Sequence, residues 1–129
     1  MGVANNRFLL GNDNSNFHSG ENNKIFHPSS VNNFELLKIN GLAKSIPSST
    51  FPSSLSIISL KTKKNLSATS FSRDRNYSSR VWKGDLAELL IYNTSLSDTE
   101  IILTEGYLAH KWGLSNNLPS NHTYKNVAP

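Results

Sequence analysis

Glycoside hydrolysis is the chemistry that paired acids on a β-strand could carry out, and it uses two carboxyl groups about 5–10 Å apart. Residues i and i+2 of a strand point to the same side, so such a pair needs that spacing. The closest acids on a predicted strand, Asp85 and Glu88, are three residues apart and therefore face opposite sides. We predict no catalytic residues and a chain that is not an enzyme.

The residue types that bind transition metals also lack a suitable arrangement. Cysteine is absent, which excludes thiolate sites, thiol nucleophiles and disulfides. The histidines are not spaced as zinc ligands, and we expect the two nearest the C-terminus to be structural or solvent-facing. They are His18, His27, His110 and His122.

Calcium is the one metal for which the sequence offers a cluster of oxygen ligands, at Asn12, Asp13 and Asn14. Calcium takes six to eight oxygens, and a single carboxylate supplies little of the charge that tight binding needs. The alternative is an ordinary turn, because Asn and Asp favour tight connections. We expect no cofactor, with calcium at this cluster as the alternative.

Aromatic and amide side chains in the middle of the chain predict a surface that contacts a glycan or a partner protein. Aromatic rings combine a large apolar face with a polar edge, which suits stacking on a sugar ring, while amide and guanidinium groups bond its hydroxyls. The alternative for the tryptophan is a place in the core. The predicted surface consists of Phe51, Arg75, Asn76, Tyr77, Arg80 and Trp82.

Positive charge is concentrated between Lys61 and Lys83, where seven Lys and Arg residues face one acid, Asp74, in a chain of net charge +4. Such a segment suits an acidic glycan or an acidic protein surface. The alternative is a set of solvated strand ends. We do not predict nucleic acid as a partner, because the segment lacks a reading motif and has few interleaved aromatics.

These side chains must be positioned by short strands. Turn formers separate small apolar clusters over residues 1–33, and Phe34–Asn40 reads as a strand. Asn40-Gly41 predicts a tight hairpin leading to a second strand over 42–46. Residues 47–54 read as a loop, since two Pro and four Ser cannot support a ladder. Further strands are expected over 55–61 and 66–71.

The C-terminal third carries the clearest pattern. Asp85–Tyr92 is an apolar run of strand length and predicts a central strand buried on both faces. Ser97 and Glu100 form a capping box, which together with Gly113 predicts a helix over 98–112.

One face of this helix is predicted to be buried. At 100° per residue, Ile101, Leu108 and Trp112 share that face. Glu105 falls within the same stripe, where we expect it to lie at the rim or to pair with a basic residue.

Four blocks near the C-terminus resemble the end of the concanavalin A-like lectin/glucanase (laminin G-like) domains of environmental bacteria and their phages. The likeness is close over residues 82–129, loose over 34–81 and absent over 1–33. The blocks are Gly84–Asn93, Leu96–Glu100, Glu105–Gly113, and Leu118-Pro119 followed by His122 and Tyr124-Lys125.

This resemblance implies an all-β fold, a two-sheet antiparallel jelly-roll sandwich with one C-terminal accessory helix. We expect residues 1–129 to form one such domain, with a C-terminal tail over 114–129. The family domain is usually somewhat longer, so the jelly roll is expected to be trimmed, or to be completed by a neighbouring chain or domain.

The resemblance and the lack of acid pairs together predict a surface-exposed binding or structural module. We expect a phage virion protein, such as a capsid decoration or fibre component, with other virion or surface-layer subunits as partners and a homo-oligomer allowed. The alternative is a glycan-binding adhesion lectin of a bacterial surface protein. No signal peptide or membrane span is recognised, so we expect a place on the virion surface or an extracellular one reached by another route, such as lysis.

Overall fold

A computed structural model describes residues 9–11, 16–18, 23–73 and 81–129. Within these residues the regular structure consists of two antiparallel three-stranded sheets and one α-helix, a small β-rich fold. The β-rich class is therefore confirmed, while the jelly-roll arrangement stays a prediction. The described strands are β1 Leu10–Gly11, β2 Asn16–His18, β3 Phe34–Ile39, β4 Leu42–Ala43, β5 Ile58–Thr62 and β6 Ser70–Phe71.

No described helix has the length and apolar character needed to cross a membrane.

The chain divides into two compact units. The first unit comprises Met1–Glu35, Ser45–Ser53 and Thr62–Asp85, and the second comprises Leu36–Lys44, Ser54–Lys61 and Leu86–Pro129.

The first unit contains the sheet of order β2-β1-β6, in which Leu10 lies opposite both His18 and Phe71. Its strands are only two or three residues long, as the many turn formers predict. Ile25, Phe26 and Phe34 are buried there, and the two phenylalanine rings pack with centroids 4.3 Å apart. Burial of these side chains stabilises an element that has few ladder hydrogen bonds.

The second sheet has the order β4-β3-β5 and is organised by the predicted hairpin. Asn40 and Gly41 both have positive φ, at 50° and 80°, which is the type I′ geometry that matches the twist of paired strands. Ile39 accordingly lies opposite Leu42. Asn40 also ties the turn to the chain before β5, because its Oδ1 accepts from the Ile57 N–H at 2.9 Å. The hairpin prediction is confirmed, although β4 is shorter than expected.

The strand predicted over Asp85–Tyr92 is wrong for the described structure. These residues have irregular backbone and pair with no described strand. Five of their large hydrophobic side chains are 39–72% exposed. The apolar pattern indicates that the segment needs to be covered on both faces, but a pattern does not say which molecule covers it. The strands predicted over 55–61 and 66–71 occur in part, as β5 and the two-residue β6.

The helix, α1, spans Asp98–Lys111 and is capped as predicted. The Ser97 hydroxyl accepts from the Glu100 N–H at 3.3 Å, and the Glu100 carboxylate accepts from the Ser97 N–H at 2.8 Å. At the other end Gly113 has φ +69°, and the Leu114 N–H donates to the Ala109 carbonyl at 2.7 Å. This is the Schellman arrangement that ends helices at glycine.

The buried face of α1 differs from the predicted one. Ile101 is buried as expected, but Trp112 is 39% exposed, and Glu105, Gly106 and Ala109 are buried instead. The buried stripe is thus rotated by about 60° around the helix axis. The cause is close packing at the small residues: Ala109 lies in a cluster with Ile57 and Leu118, and Tyr124 covers Gly106.

Candidate functional site

Two residues of the predicted glycan or partner surface, Phe51 and Trp82, lie together in the first unit. Their rings meet edge to face, with centroids 5.7 Å apart. Phe51 is only 5% exposed, so the expectation of an exposed ring is wrong for this residue. Trp82 is partly buried, and its indole N–H donates to the Gly84 carbonyl at 2.9 Å. The pair therefore packs as part of the fold and offers at most the Trp82 ring to a ligand.

The other predicted site residues lie outside the described part of the chain. They are Arg75, Asn76, Tyr77 and Arg80 of the glycan or partner surface, and Asn12, Asp13 and Asn14 of the calcium cluster. Both sites therefore stay predictions. Within the described residues no three His, Asp or Glu side chains are grouped to hold a metal ion.

The second unit has exposed large hydrophobic side chains, most of which sequence reasoning placed in the core. Eight large hydrophobic side chains, each at least 39% exposed, come from residues 86–92 and from α1. We call this set the 86–112 surface. Its members are Leu86, Leu89, Leu90, Ile91, Tyr92, Leu103, Tyr107 and Trp112.

Glu88 links the two parts of the 86–112 surface, residues 86–92 and α1 with Trp112. Its carboxylate accepts a hydrogen bond from the Trp112 indole N–H at 2.8 Å and forms an ion pair with the Lys111 ammonium at 3.1 Å. The same ammonium donates to the Tyr107 hydroxyl at 2.8 Å and lies 5.2 Å from the centre of that ring. These contacts fix residues 86–92 beside the C-terminal end of α1 and balance the two charges locally.

The hydrogen bonds from Trp112 and Lys111 lower the pKa of Glu88 below its usual value of 4.5. A group whose pKa is lowered in the folded state contributes stability above its unfolded pKa, and that contribution is lost as pH falls through the folded value. We therefore expect the Glu88 contacts to be intact at neutral pH and to break only below about pH 4.5. The Trp112 indole N–H resonance, followed by NMR on acidification, should shift in that range. Glu88→Gln should abolish the shift, and an unchanged titration in that variant would contradict the assignment.

A second cluster in the same unit is buried and centres on Glu105, which is 1% exposed. Its carboxylate accepts from the Lys38 ammonium of β3 and from the Ser59 hydroxyl of β5, both at 2.8 Å. His122 lies on the same carboxylate, with Nε2 at 3.4 Å. The expectation that Glu105 pairs with a basic residue is confirmed, and the partner is Lys38.

The hydrogen bonds around His122 assign its tautomer. The Tyr124 N–H donates to Nδ1 at 3.1 Å, so Nδ1 is an acceptor and the ring proton is on Nε2, directed at Glu105. The cluster therefore contains one carboxylate, one ammonium and a neutral imidazole. This arrangement can join helix, sheet and tail, and the expectation that His122 has a structural role agrees with its burial.

The tail after α1 packs within the second unit. The His110 ring donates from Nε2 to the Tyr124 carbonyl at 2.8 Å, and the Lys125 ammonium donates to the Asn116 and Leu118 carbonyls at 2.7 Å. His122 and Pro119 also contact the hairpin turn at Gly41 closely. Residues 114–125 thus contribute to the core of this unit instead of forming a loose appendage.

Comparison of the chain with protein-family models, with curated proteins and with solved structures gave no match. The site is therefore interpreted from its own geometry.

Sequence reasoning missed the 86–112 surface, although one signal for it was present. Glu88 is the only charge inside the apolar run Leu86–Tyr92. A carboxylate in a strand covered on both faces would need a buried partner. In the structure its partners are Lys111 and Trp112, and both belong to the exposed side of α1.

Proposed function

We propose that this chain is a non-catalytic module that binds other protein subunits, a phage virion component such as a capsid decoration or fibre with a lectin-like jelly roll. The 86–112 surface is the observation that supports it. Each of its eight large hydrophobic side chains is at least 39% exposed. Single exposed hydrophobic residues are ordinary on a protein surface, whereas several on two neighbouring segments, here joined through Glu88, favour an interaction site.

The composition of the surface favours a protein partner over a sugar. Five of its eight side chains are Leu or Ile, which bind by excluding water and offer no hydrogen bonds. Sugar recognition depends on polar groups at the edge of aromatic rings. The main polar groups here are already bonded to each other. The Glu88 carboxylate forms an ion pair with the Lys111 ammonium and accepts a hydrogen bond from the Trp112 indole N–H.

The jelly-roll part of the proposal is supported by the four C-terminal sequence blocks and by the two small antiparallel sheets. In a sandwich of this type an apolar run such as Leu86–Tyr92 is expected to lie between two layers. Its exposure is consistent with a jelly roll that a neighbouring subunit completes.

The alternative function is that of a glycan-binding adhesion lectin, and one observation favours it. Tyr107 and Trp112 are both exposed, and the Lys111 ammonium lies 5.2 and 5.8 Å from their ring centres. Two rings beside a charged group could stack on and bond a sugar at the end of α1.

Two measurements on the purified chain separate these functions: co-sedimentation with particles of the phage whose genome encodes it, and a glycan array. We expect the gene to lie beside terminase, portal or capsid genes, and the chain to sediment with particles and bind no sugar. Trp112→Ala should weaken particle binding, while Phe71→Ala, an exposed ring of the first unit, should not. Sugar binding that Trp112→Ala abolishes, without particle binding, would contradict the proposal and favour the lectin.

A further inference from the structure

We propose that residues 86–92 contain a cleavage site for an endopeptidase that accepts a large apolar side chain, and that the two pieces of the chain stay bound to each other after the cut. The inference goes beyond the proposed subunit-binding function and does not depend on it.

The backbone of this segment is open to a protease. From Asp85 to Tyr92 it has no regular structure, and none of its N–H or C=O groups is hydrogen-bonded to a described residue. Every residue of the range except Glu88 is exposed. Proteolytic nicks concentrate where the backbone is exposed and unpaired, because a protease must draw several residues into its cleft in an extended form. No residue of the segment has positive φ, so this form is accessible without strain.

The side chains of the segment determine the class of protease. The S1 pocket of a chymotrypsin-like protease is a hydrophobic slot that takes the side chain before the scissile bond. Tyr92 is 49% exposed, and Leu89 and Leu90 are each 39% exposed. The nearest Lys or Arg residues on either side of the segment are Lys83 and Lys111. A protease specific for basic side chains therefore finds no site within it.

The bond after Tyr92 is expected to be cut first. The Glu88 carboxylate is bonded to Trp112 and Lys111, which holds Glu88 beside α1. Leu89 directly follows Glu88 in the chain, so cleavage after Leu89 requires these contacts to break. Tyr92 is four residues from Glu88, and a protease can bind around it while the Glu88 contacts stay intact.

The reaction is the hydrolysis of one peptide bond. The C–N bond between Tyr92 and Asn93 breaks, and the water oxygen joins the Tyr92 carbonyl carbon to give a carboxylate. The two protons of that water pass to the new Asn93 amine. The products are an N-terminal piece, residues 1–92, and a C-terminal piece, residues 93–129.

The contacts that hold the C-terminal piece do not pass through the cleaved bond. Glu105 of this piece accepts a hydrogen bond from the Lys38 ammonium of the N-terminal piece at 2.8 Å, and this carboxylate is buried. Apolar burial joins the pieces as well and does not need the peptide link. The buried cluster consists of Ile57 from the N-terminal piece with Ala109 and Leu118 from the C-terminal piece.

Brief digestion of the folded full chain with chymotrypsin, followed by mass spectrometry of the products, tests the cleavage site. Tyr107 is the matched control within the same chain. It has the same side chain as Tyr92 and is 41% exposed against 49%, but it lies inside α1. We expect cleavage after Tyr92 to be about tenfold faster or more, since a helix must open before a protease can cut it. Cleavage after Tyr107 at an equal or higher rate, or no cleavage within 86–92, would overturn the inference.

The variant Glu88→Ala tests the choice of bond. It releases residues 86–92 from α1, so the rate of cleavage after Leu89 should rise while the rate after Tyr92 stays the same. A wild-type chain that is cut after Leu89 before Tyr92 would show that the Glu88 contacts do not direct the cut.

Size-exclusion chromatography of the cut chain tests whether the pieces stay together. We expect both pieces to elute at the volume of the uncut chain in native buffer and to separate in concentrated urea. Pieces that elute separately in native buffer would overturn this part of the inference, because the contacts of Glu105 and of the Ala109 cluster would then be too weak to replace the peptide link.

Discussion

Replacing Glu105 with leucine is expected to lower the free energy of unfolding by about 3 kcal/mol or more, one of the two largest effects in this chain. The variant leaves the Lys38 ammonium, whose side chain is 15% exposed, without its carboxylate. It also removes the acceptor of the Ser59 hydroxyl and of the His122 ring N–H. Breaking a buried ion pair by removing one partner is costly because the remaining charge stays poorly solvated. Urea denaturation followed by circular dichroism measures the change.

The double variant Glu105→Leu with Lys38→Met is the control for this result. Removing both charges should recover most of the lost stability, since a hydrophobic pair of similar volume often equals a buried ion pair. Glu105→Gln should cost less than Glu105→Leu, because it keeps one oxygen as an acceptor. Wild-type stability in Glu105→Leu would show that the cluster does not hold the helix, sheet and tail together.

Gly106→Ala is expected to destabilise the fold by about 1–3 kcal/mol, opposite in sign to the usual effect. In a helix interior this substitution ordinarily stabilises by about 1 kcal/mol. Here a Cβ at position 106 would lie 2.5 Å from the Tyr124 Cβ and 2.7 Å from two ring atoms. The tail would have to move off the helix, and the hydrogen bond between His110 and the Tyr124 carbonyl would be strained. Thermal unfolding of the variant measures the change.

Two further variants separate this clash from other effects of glycine. Tyr124→Gly removes the nearest atoms, so Gly106→Ala should be less costly, or favourable, in that background. Gly113→Ala should also destabilise, by about 1–2 kcal/mol, but for a different reason: the space around Gly113 is open and only its φ of +69° disfavours alanine. Gly106→Ala that stabilises the wild-type chain would contradict the packing of Tyr124 on α1.

The features that could be predicted from the sequence are those decided by residues close together in the chain. The hairpin at Asn40-Gly41 depends on two adjacent residues that accept positive φ. The start of α1 depends on Ser97 and Glu100, and its end depends on Gly113. Such local signals act before any tertiary contact forms, so reading them requires no knowledge of the fold.

The features that could not be predicted depend on which surfaces meet. The hydrophobic pattern of α1 predicted that Trp112 would be buried. In the structure the small residues Gly106 and Ala109 let neighbouring residues pack closest to the helix, so the side of α1 that carries them is buried instead. Glu105 is buried because Lys38 and Ser59 reach it from distant strands. The apolar run from Leu86 to Tyr92 predicts a buried strand. Among the described residues of the chain, however, no strand pairs with it.

Hydrogen exchange of the amides of residues 86–92, measured on a dilute sample, tests the central claim most directly. We expect these amides to exchange as fast as those of the loop over residues 52–54, and much faster than those of β3 and α1, because they lack ladder hydrogen bonds. Protection equal to that of β3 in the dilute sample would contradict the account, since residues 86–92 would then be an internal strand of the single chain.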